Sequence, residues 1–299
     1  MKGKIIKGVG GFYYVQTAVG IAECKARGLF RKTGENLVVG DDVEIEAAGE
    51  EGKGFIVRIY PRRNELIRPP VSNVDQVLLL FALDQPKPNL NLLDRFLVML
   101  EHKGLPVVLG FNKADLNTEG ADFLKHYQNI GYAVHVFSAH RSDPEKLRTL
   151  LLGKTTVLAG PSGVGKSTLV NFWQSKVVMK TGGVSQKIGR GRHTTRHVNL
   201  IALDENSFVV DTPGFTSFDL REISAQQLRR CFPEFRARAG NCQFLDCQHD
   251  RESGCAVKAA AEAGDIWPNR YRNYLQIKEE LKEKERNSGK PVTIRRNAK

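Results

Sequence analysis

Gly160-Pro161-Ser162-Gly163-Val164-Gly165-Lys166-Ser167 has the pattern G-x-x-x-x-G-K-[ST]. It lies between a β-prone run, Thr156-Val157-Leu158-Ala159, and a stretch from Ser167 to Trp173 that suits a helix. Strand, glycine loop and helix in that order let backbone N–H groups turn inward around an anion at a helix N-terminus. The segment predicts a phosphate-binding loop. Lys166 would neutralise β/γ-phosphate charge, Ser167 would ligate Mg²⁺, and Thr168 would complete the nucleotide-facing turn. The alternative, a fortuitous glycine loop, does not explain the flanking strand and helix.

Upstream the chain alternates between strand and helix patterns. Val77-Leu78-Leu79-Leu80-Phe81 is a continuous apolar run, the signature of a strand buried on both faces. A helix over 92–102, a strand over 107–111, a helix over 119–129, a strand over 134–137 and a helix over 144–152 follow. This predicts a doubly wound α/β domain reaching residue 220.

Three further motifs fall at strand ends. Asn112-Lys113-Ala114-Asp115 follows the 107–111 strand. The Asp115 carboxylate can accept both the ring N–H and the exocyclic amine of guanine, a donor pair adenine lacks on that edge. Asn112 would brace the loop and the base. Alone, such an Asn/Asp turn is common; beside a phosphate loop it reads as a guanine-specificity element. Ser138-Ala139 fits the companion loop that supports the base through backbone groups, with an ordinary Ser turn as the alternative. Asp211-Thr212-Pro213-Gly214 follows Phe208-Val209-Val210. It fits D-x-x-G, with Asp211 at the second Mg²⁺ position and the Gly214 N–H facing the γ-phosphate.

Ordinary GTPases run phosphate loop, D-x-x-G, N-K-x-D. Here N-K-x-D and Ser138-Ala139 come before the phosphate loop, and D-x-x-G comes last. This is a circular permutation. It is permissible because the site is assembled from loops at strand C-termini, whatever the chain order.

The flanks have different characters. Residues 12–15, 21–26, 42–46 and 55–59 are short β-prone runs separated by glycines, which predicts a small barrel. The OB type is first choice, an SH3-like barrel its rival. Cys242, Cys247, His249 and Cys255 bring three thiolates and one imidazole within fourteen residues. That donor set suits one tetrahedral, structural Zn²⁺ with no position left for catalysis. Reduced cysteines in a helical core are the alternative. Cys24 and Cys231 read as ordinary buried residues. The stretch from Ile277 to Arg286 alternates charges and reads as a solvated helix, and Asn287 to Lys299 as a mobile basic tail. The domain reading is a barrel over 1–66, a linker over 67–72, a circularly permuted GTPase domain over 73–220, and a mostly helical zinc-binding domain over 221–299.

Permuted motifs, an N-terminal barrel and a C-terminal Cys/His cluster together resemble the ribosome small-subunit-dependent GTPase A family, over essentially the whole chain. Ile188-Gly189-Arg190-Gly191-Arg192-His193-Thr194-Thr195-Arg196 is similar to that family's switch I. The resemblance implies a three-domain factor for late maturation of the small ribosomal subunit. Such factors hydrolyse GTP to GDP and phosphate slowly alone and faster on the subunit. It also implies ribosomal RNA as partner, with barrel and zinc domain gripping it, and other assembly factors nearby.

Many GTPases place a water-orienting Gln just after D-x-x-G; here the position holds Phe215, whose ring offers water neither donor nor acceptor. Slow intrinsic turnover is expected. The missing group would come from switch I or from the partner. His193 is the internal candidate, titrating near neutrality; a phosphate- or RNA-contacting role is its alternative. Thr195, with Thr194 second, is the expected switch threonine for Mg²⁺ and the γ-phosphate.

Composition sets the outer bounds. The 299 residues carry 45 Lys+Arg against 33 Asp+Glu, a net +12, with 41% hydrophobic residues. That balance excludes disorder and collagen-like structure, and no apolar run reaches the roughly 18–20 residues of a membrane span. With no apolar signal core after Met1–Lys7, a soluble, cytoplasmic monomer is expected. The charge favours a polyanion. Half of the excess, +6, lies in residues 267–299, and switch I adds Lys180, Lys187, Arg190, Arg192 and Arg196. Both would attract RNA in a salt-sensitive way. Two rivals stand beside this reading: an RNA-binding protein that keeps GTP as a structural ligand, and an ATP-dependent RNA enzyme, which Asn112 and Asp115 oppose.

Overall fold

Alternation of apolar and polar side chains organises the N-terminal region. In the computed structural model it forms β1 (Lys2–Val9), β2 (Phe12–Thr17), β3 (Gly20–Ala26), β4 (Asp42–Ala48) and β5 (Lys53–Ile59). Strand β1 pairs with both β2 and β4, closing a five-stranded barrel around Ile5, Val15, Cys24, Val43, Ile45 and Ile56. The structure describes residues 1–28, 30, 35–48, 53–67, 69–116, 120–141, 145–181, 198–211 and 220–288. Strand β1 is the one barrel element the residue pattern did not announce. Lys2, Lys4 and Lys7 mask its apolar pair, Ile5 and Ile6.

After the barrel, Arg62 donates to the buried Asp41 carboxylate at 2.7 Å, and the Ser72 hydroxyl donates to the same group at 2.7 Å. Between them lies a short hairpin of β6 (Glu65–Ile67) and β7 (Pro70–Ser72). The α/β strands follow: β8 (Gln76–Ala82), β9 (Val107–Asn112), β10 (Ala133–Val136), β11 (Thr155–Ala159), β12 (Asn199–Ala202) and β13 (Phe208–Asp211). Every residue of β8 is buried, as its unbroken apolar run requires. Strand β11 lies parallel to β8 on one side and to β13 on the other, so the phosphate loop leaves the middle of the sheet. The full order is β10-β9-β8-β11-β13-β12-β1-β2-β3-β5-β4. The barrel thus continues the central sheet, through Lys7 opposite Asn199.

The helices are α1 (Leu90–His102), α2 (Phe123–Ile130), α3 (Glu145–Thr149), α4 (Lys166–Thr181), α5 (Pro233–Arg236), α6 (Ala256–Glu262) and α7 (Pro268–Ser288). The chain divides into two compact units. The first holds Met1–Pro86, Val108–Leu116 and His135–Thr216; the second holds Lys87–Val107, Asn117–Val134 and Ser217–Lys299.

In the second unit Phe232, Phe235, Tyr274 and Ile277 form the centre of the core, with Val98 and Met99 of α1. One expectation is corrected here. The end of α7 is not a solvated helix: Ile277 is fully buried, and Lys278 and Leu281 are each 3% exposed. Apolar residues recur at helical spacing (Tyr274, Ile277, Leu281), and the intervening charges hid that stripe. At the heart of this unit the fully buried Arg270 guanidinium bonds Asp94 at 2.7 Å and Glu234 at 2.8 Å. Tyr127 and Asn273 donate to the same Asp94 carboxylate. Four helices, α1, α2, α5 and α7, therefore meet on one ionic centre. Among the described residues no helix is long and apolar enough to cross a membrane.

Candidate functional site

The phosphate loop is built from positions only glycine can occupy. At Gly160, φ is +131° and a Cβ would lie 2.0 Å from the Leu80 carbonyl oxygen; at Gly165, φ is +100° and a Cβ would lie 2.2 Å from Asn112 Nδ2. Both conformations are strained for any side chain, and the space is already filled. Val164 is buried in the core with Leu78, Leu158, Leu169 and Trp173, which anchors the middle of the loop. Pro161 is half-buried, and Ser162 and Gly163 face solvent. Helix α4 starts at Lys166, with Ser167 exposed and Thr168 half-buried on its first turn.

Lys166 Nζ donates to the carbonyl oxygens of Gly160 and Pro161, both at 2.6 Å. Burial lowers its pKa, the sign of an ammonium taken partly out of water before any anion arrives. A phosphate beside it would reverse that shift.

Asn112 joins three loops. Its side chain is 2% exposed, and its Nδ2 donates to the Val164 carbonyl of the phosphate loop at 2.9 Å. Its Oδ1 accepts from the Lys113 N–H at 2.7 Å and from the Ala139 N–H at 3.0 Å. The three motifs that sequence spacing picked out separately thus share one side chain. Asp115 lies on the single turn Ala114–Leu116, which the Ala114 N–H ties to the Phe137 carbonyl. A hydrogen bond from the buried Ser138 hydroxyl holds the Asp115 carboxyl below its ordinary pKa, assisted by the Arg141 guanidinium 3.7 Å away. An acceptor kept ionised and oriented is what the donor pair of a guanine edge requires.

Some of this geometry was not legible beforehand. Lys113 adopts φ +62°, and its Nζ bonds the carbonyl of Gln85, on the loop after β8. Nothing in the N-K-x-D pattern names Gln85, because a backbone acceptor leaves no mark on residue type. Asp211 ends β13 opposite Asn199, one residue past Val210, which faces Val157 of the phosphate-loop strand. This places its backbone at the same sheet edge. His193, Thr194, Thr195, Gly214 and Phe215 lie outside the described residues.

The Cys/His cluster forms a separate centre in the second unit. The ligand atoms of Cys242, Cys247, His249 and Cys255 all lie within 4.8 Å of one another. His249 Nδ1 is 3.7 Å from Cys242 Sγ and 3.5 Å from Cys255 Sγ. Zn–S bonds of ~2.3 Å and Zn–N bonds of ~2.0–2.1 Å at tetrahedral angles require an N···S separation of about 3.6 Å. Burial pushes the Cys247 thiol up to about 12, so an ionised sulfur here demands a cation. The residues fit Zn²⁺, held by Cys242, Cys247, His249 and Cys255.

The surrounding groups hold the ligand backbone. Tyr271 donates to the His249 carbonyl at 2.9 Å, Arg229 to the Cys247 carbonyl at 2.8 Å, and Lys278 to the Gln248 carbonyl at 2.8 Å. The Glu252 carboxylate accepts from the backbone N–H groups of Gln248, Asp250 and Arg251. These donors explain why His249 can sit at φ +56°.

Comparisons with known proteins agree with this construction. The family model described as RsgA GTPase matches residues 59–221, and that described as RsgA N-terminal domain matches residues 2–56. A model described as 50S ribosome-binding GTPase matches residues 155–295. The chain is 47% identical over 289 residues to the small ribosomal subunit biogenesis GTPase RsgA of Alkaliphilus metalliredigens, covering 95% of this chain and 99% of that one. It is 44% identical to the protein of the same name from Agathobacter rectalis, covering 96% and 100%. Among solved structures, YloQ, a circularly permuted GTPase, superposes with a TM-score of 0.78 at 37% identity, covering 98% of this chain and 96% of that one. YjeQ from Thermotoga maritima gives 0.78 at 34% identity, covering 94% and 98%. A barrel, a permuted guanine site wired through Asn112, and a Cys₃His centre thus occur together in a chain that belongs to the RsgA GTPase family.

Proposed function

We propose that this chain binds the small ribosomal subunit and acts in its late maturation, hydrolysing GTP to GDP and phosphate with turnover that the subunit stimulates. The observation that supports it most is the junction at Asn112. A side chain that locks a base-reading loop onto a phosphate loop makes guanine recognition and triphosphate placement one event.

The roles follow from that arrangement. Asp115 reads the guanine edge, with Asn112, Lys113 and Ala114 shaping its loop and Ser138-Ala139 supporting the base. Backbone N–H groups from Gly160 to Ser167 enclose the phosphates, next to Thr168. Lys166 and the Gly214 N–H stabilise charge developing on the γ-phosphate. Mg²⁺, when bound, neutralises β- and γ-phosphate oxygens; Ser167, Asp211 and Thr195 would hold it or its hydration shell. His193 assists water from switch I, in the place a Gln holds in other GTPases. Barrel (1–66), linker (67–72), GTPase domain (73–220) and zinc-binding domain with tail (221–299) serve as RNA grip, joint, timer and second grip. The factor works as a cytoplasmic monomer, alongside other assembly factors.

The test is co-sedimentation with purified small subunits. Retention with a non-hydrolysable GTP analogue and release with GDP are expected. Equal retention in both states would favour GTP as a structural ligand. A His193→Ala chain should bind GTP normally yet lose subunit-stimulated turnover; unchanged stimulation removes His193 from the mechanism.

A further inference from the structure

The outer surface of the barrel carries a pattern that the nucleotide and metal sites leave unused. Strand register sets two rows across it. In the first, Val9 of β1 stands opposite Phe12 of β2, Phe12 opposite Lys25 of β3, and Lys25 beside Phe55 of β5. In the second, Lys7 stands opposite Tyr14, Tyr14 opposite Glu23, and Glu23 beside Lys53. Register partners share a face, and Cys24, between Glu23 and Lys25, points into the barrel core. The two rows therefore face outward.

Rings and cations interleave on this face. Lys25 Nζ lies 4.9 Å from the Phe12 ring centroid, and Lys7 Nζ lies 5.7 Å from that of Tyr14. Phe55 is 41% exposed and Val9 40% exposed, and neither belongs to the barrel core. Among the described residues Lys7 and Lys25 make these ring contacts and no ion pair. The two acidic groups on the face are engaged: Glu23 accepts from the Tyr14 hydroxyl at 3.2 Å, and Glu46 pairs with Arg27 at 2.5 Å. Residues 1–28 as a whole hold five basic side chains against one acidic.

A ring row on a pleated sheet, with ammonium groups beside the rings, offers stacking to unpaired bases and charge to the backbone linking them. A duplex hides its base faces and could use the charge alone. We infer that the β1-β2-β3-β5 face is a stacking platform for single-stranded RNA, with Phe12 and Phe55 stacking bases and Lys7 and Lys25 neutralising phosphates. This rests on the ribosomal reading for its biological target, and names which form of RNA the barrel takes.

The full-length, zinc-loaded chain would be titrated with a 12-nucleotide single-stranded RNA and with a hairpin duplex of equal phosphate number. The single strand should bind more tightly. Phe12→Ala/Phe55→Ala should weaken it about tenfold per ring while leaving duplex binding unchanged. Phe12→Tyr/Phe55→Trp should restore it. Lys7→Ala/Lys25→Ala should flatten the salt slope by about 0.7 per lost phosphate contact. Duplex binding as tight as the single strand, or no response to ring removal in a variant with an unchanged melting temperature, overturns the platform. Small-subunit co-sedimentation of the wild type is run in parallel. If it succeeds while the ring variant binds RNA normally, the platform alone fails; if it fails, the ribosomal reading fails and the RNA titrations still decide the platform.

Discussion

Replacing Asn112 with Ala tests the junction on which the guanine site depends. The side chain is buried and makes three hydrogen bonds, at 2.9, 2.7 and 3.0 Å, to three different loops. At ~1 kcal/mol net for each, the change removes about 3 kcal/mol of loop-to-loop order. If the site binds nucleotide only when assembled, apparent affinity falls by the assembled fraction, about 150-fold. Asn112→Asp should do nearly as badly, because it keeps the Oδ1 acceptor but turns an oxygen towards the Val164 carbonyl. Gly165→Ala acts on the same contact from the other side, since its Cβ would lie 2.2 Å from Asn112 Nδ2. The double variant Asn112→Ala/Gly165→Ala should therefore lose much less than the sum of the singles. Titration with a fluorescent GDP analogue, with thermal melts as the folding control, reads all four. An Asn112→Ala affinity within threefold of wild type, or full additivity in the cycle, refutes the reasoning.

Asp115→Asn should exchange preference from GTP towards xanthosine triphosphate by two orders of magnitude or more, because the amide presents a donor where guanine also donates; competition binding would show it, and retained GTP preference would contradict the base-reading role. Removing zinc with a strong chelator, or changing Cys247→Ser, should melt the second unit, since structural zinc supplies ~10–16 kcal/mol of apparent folding energy. Loss of helical circular dichroism with one equivalent of released zinc is the expected record. Asp94→Asn should destabilise the same unit by about 3–5 kcal/mol in urea unfolding, because Arg270 keeps its charge in a fully buried place while losing an anionic partner. The Ser138 hydrogen bond lowers the Asp115 pKa, so the stability it lends is present above the ordinary carboxylate range and is lost as pH falls through the depressed value. Ser138→Ala should move that loss to higher pH, seen as an earlier acid limb in guanine-nucleotide binding.

The nucleotide loops and the metal ligands were legible because their chemistry fixes residue type. Only glycine fits where Leu80 and Asn112 crowd the phosphate loop, and only thiolate or imidazole suits the buried tetrahedral centre. Strand β8 was legible because it is buried on both faces. Strand β1 was not, because half of its residues are lysine or glycine and its evidence lies in partners far along the chain, β4 and β12. The ionic centre at Arg270 was hidden for the same reason: Asp94 and Arg270 are 176 positions apart and each reads alone as a surface charge. The end of α7 was misread because its buried stripe is narrow and charges fill the rest of every turn.

The central claim is tested most directly by GTP turnover measured alone, with purified small subunits, and with purified large subunits at equal concentration. The account predicts slow turnover alone, a rise of at least tenfold with small subunits, and none with large ones. Turnover that small subunits leave unchanged, or that large subunits raise equally, would contradict it.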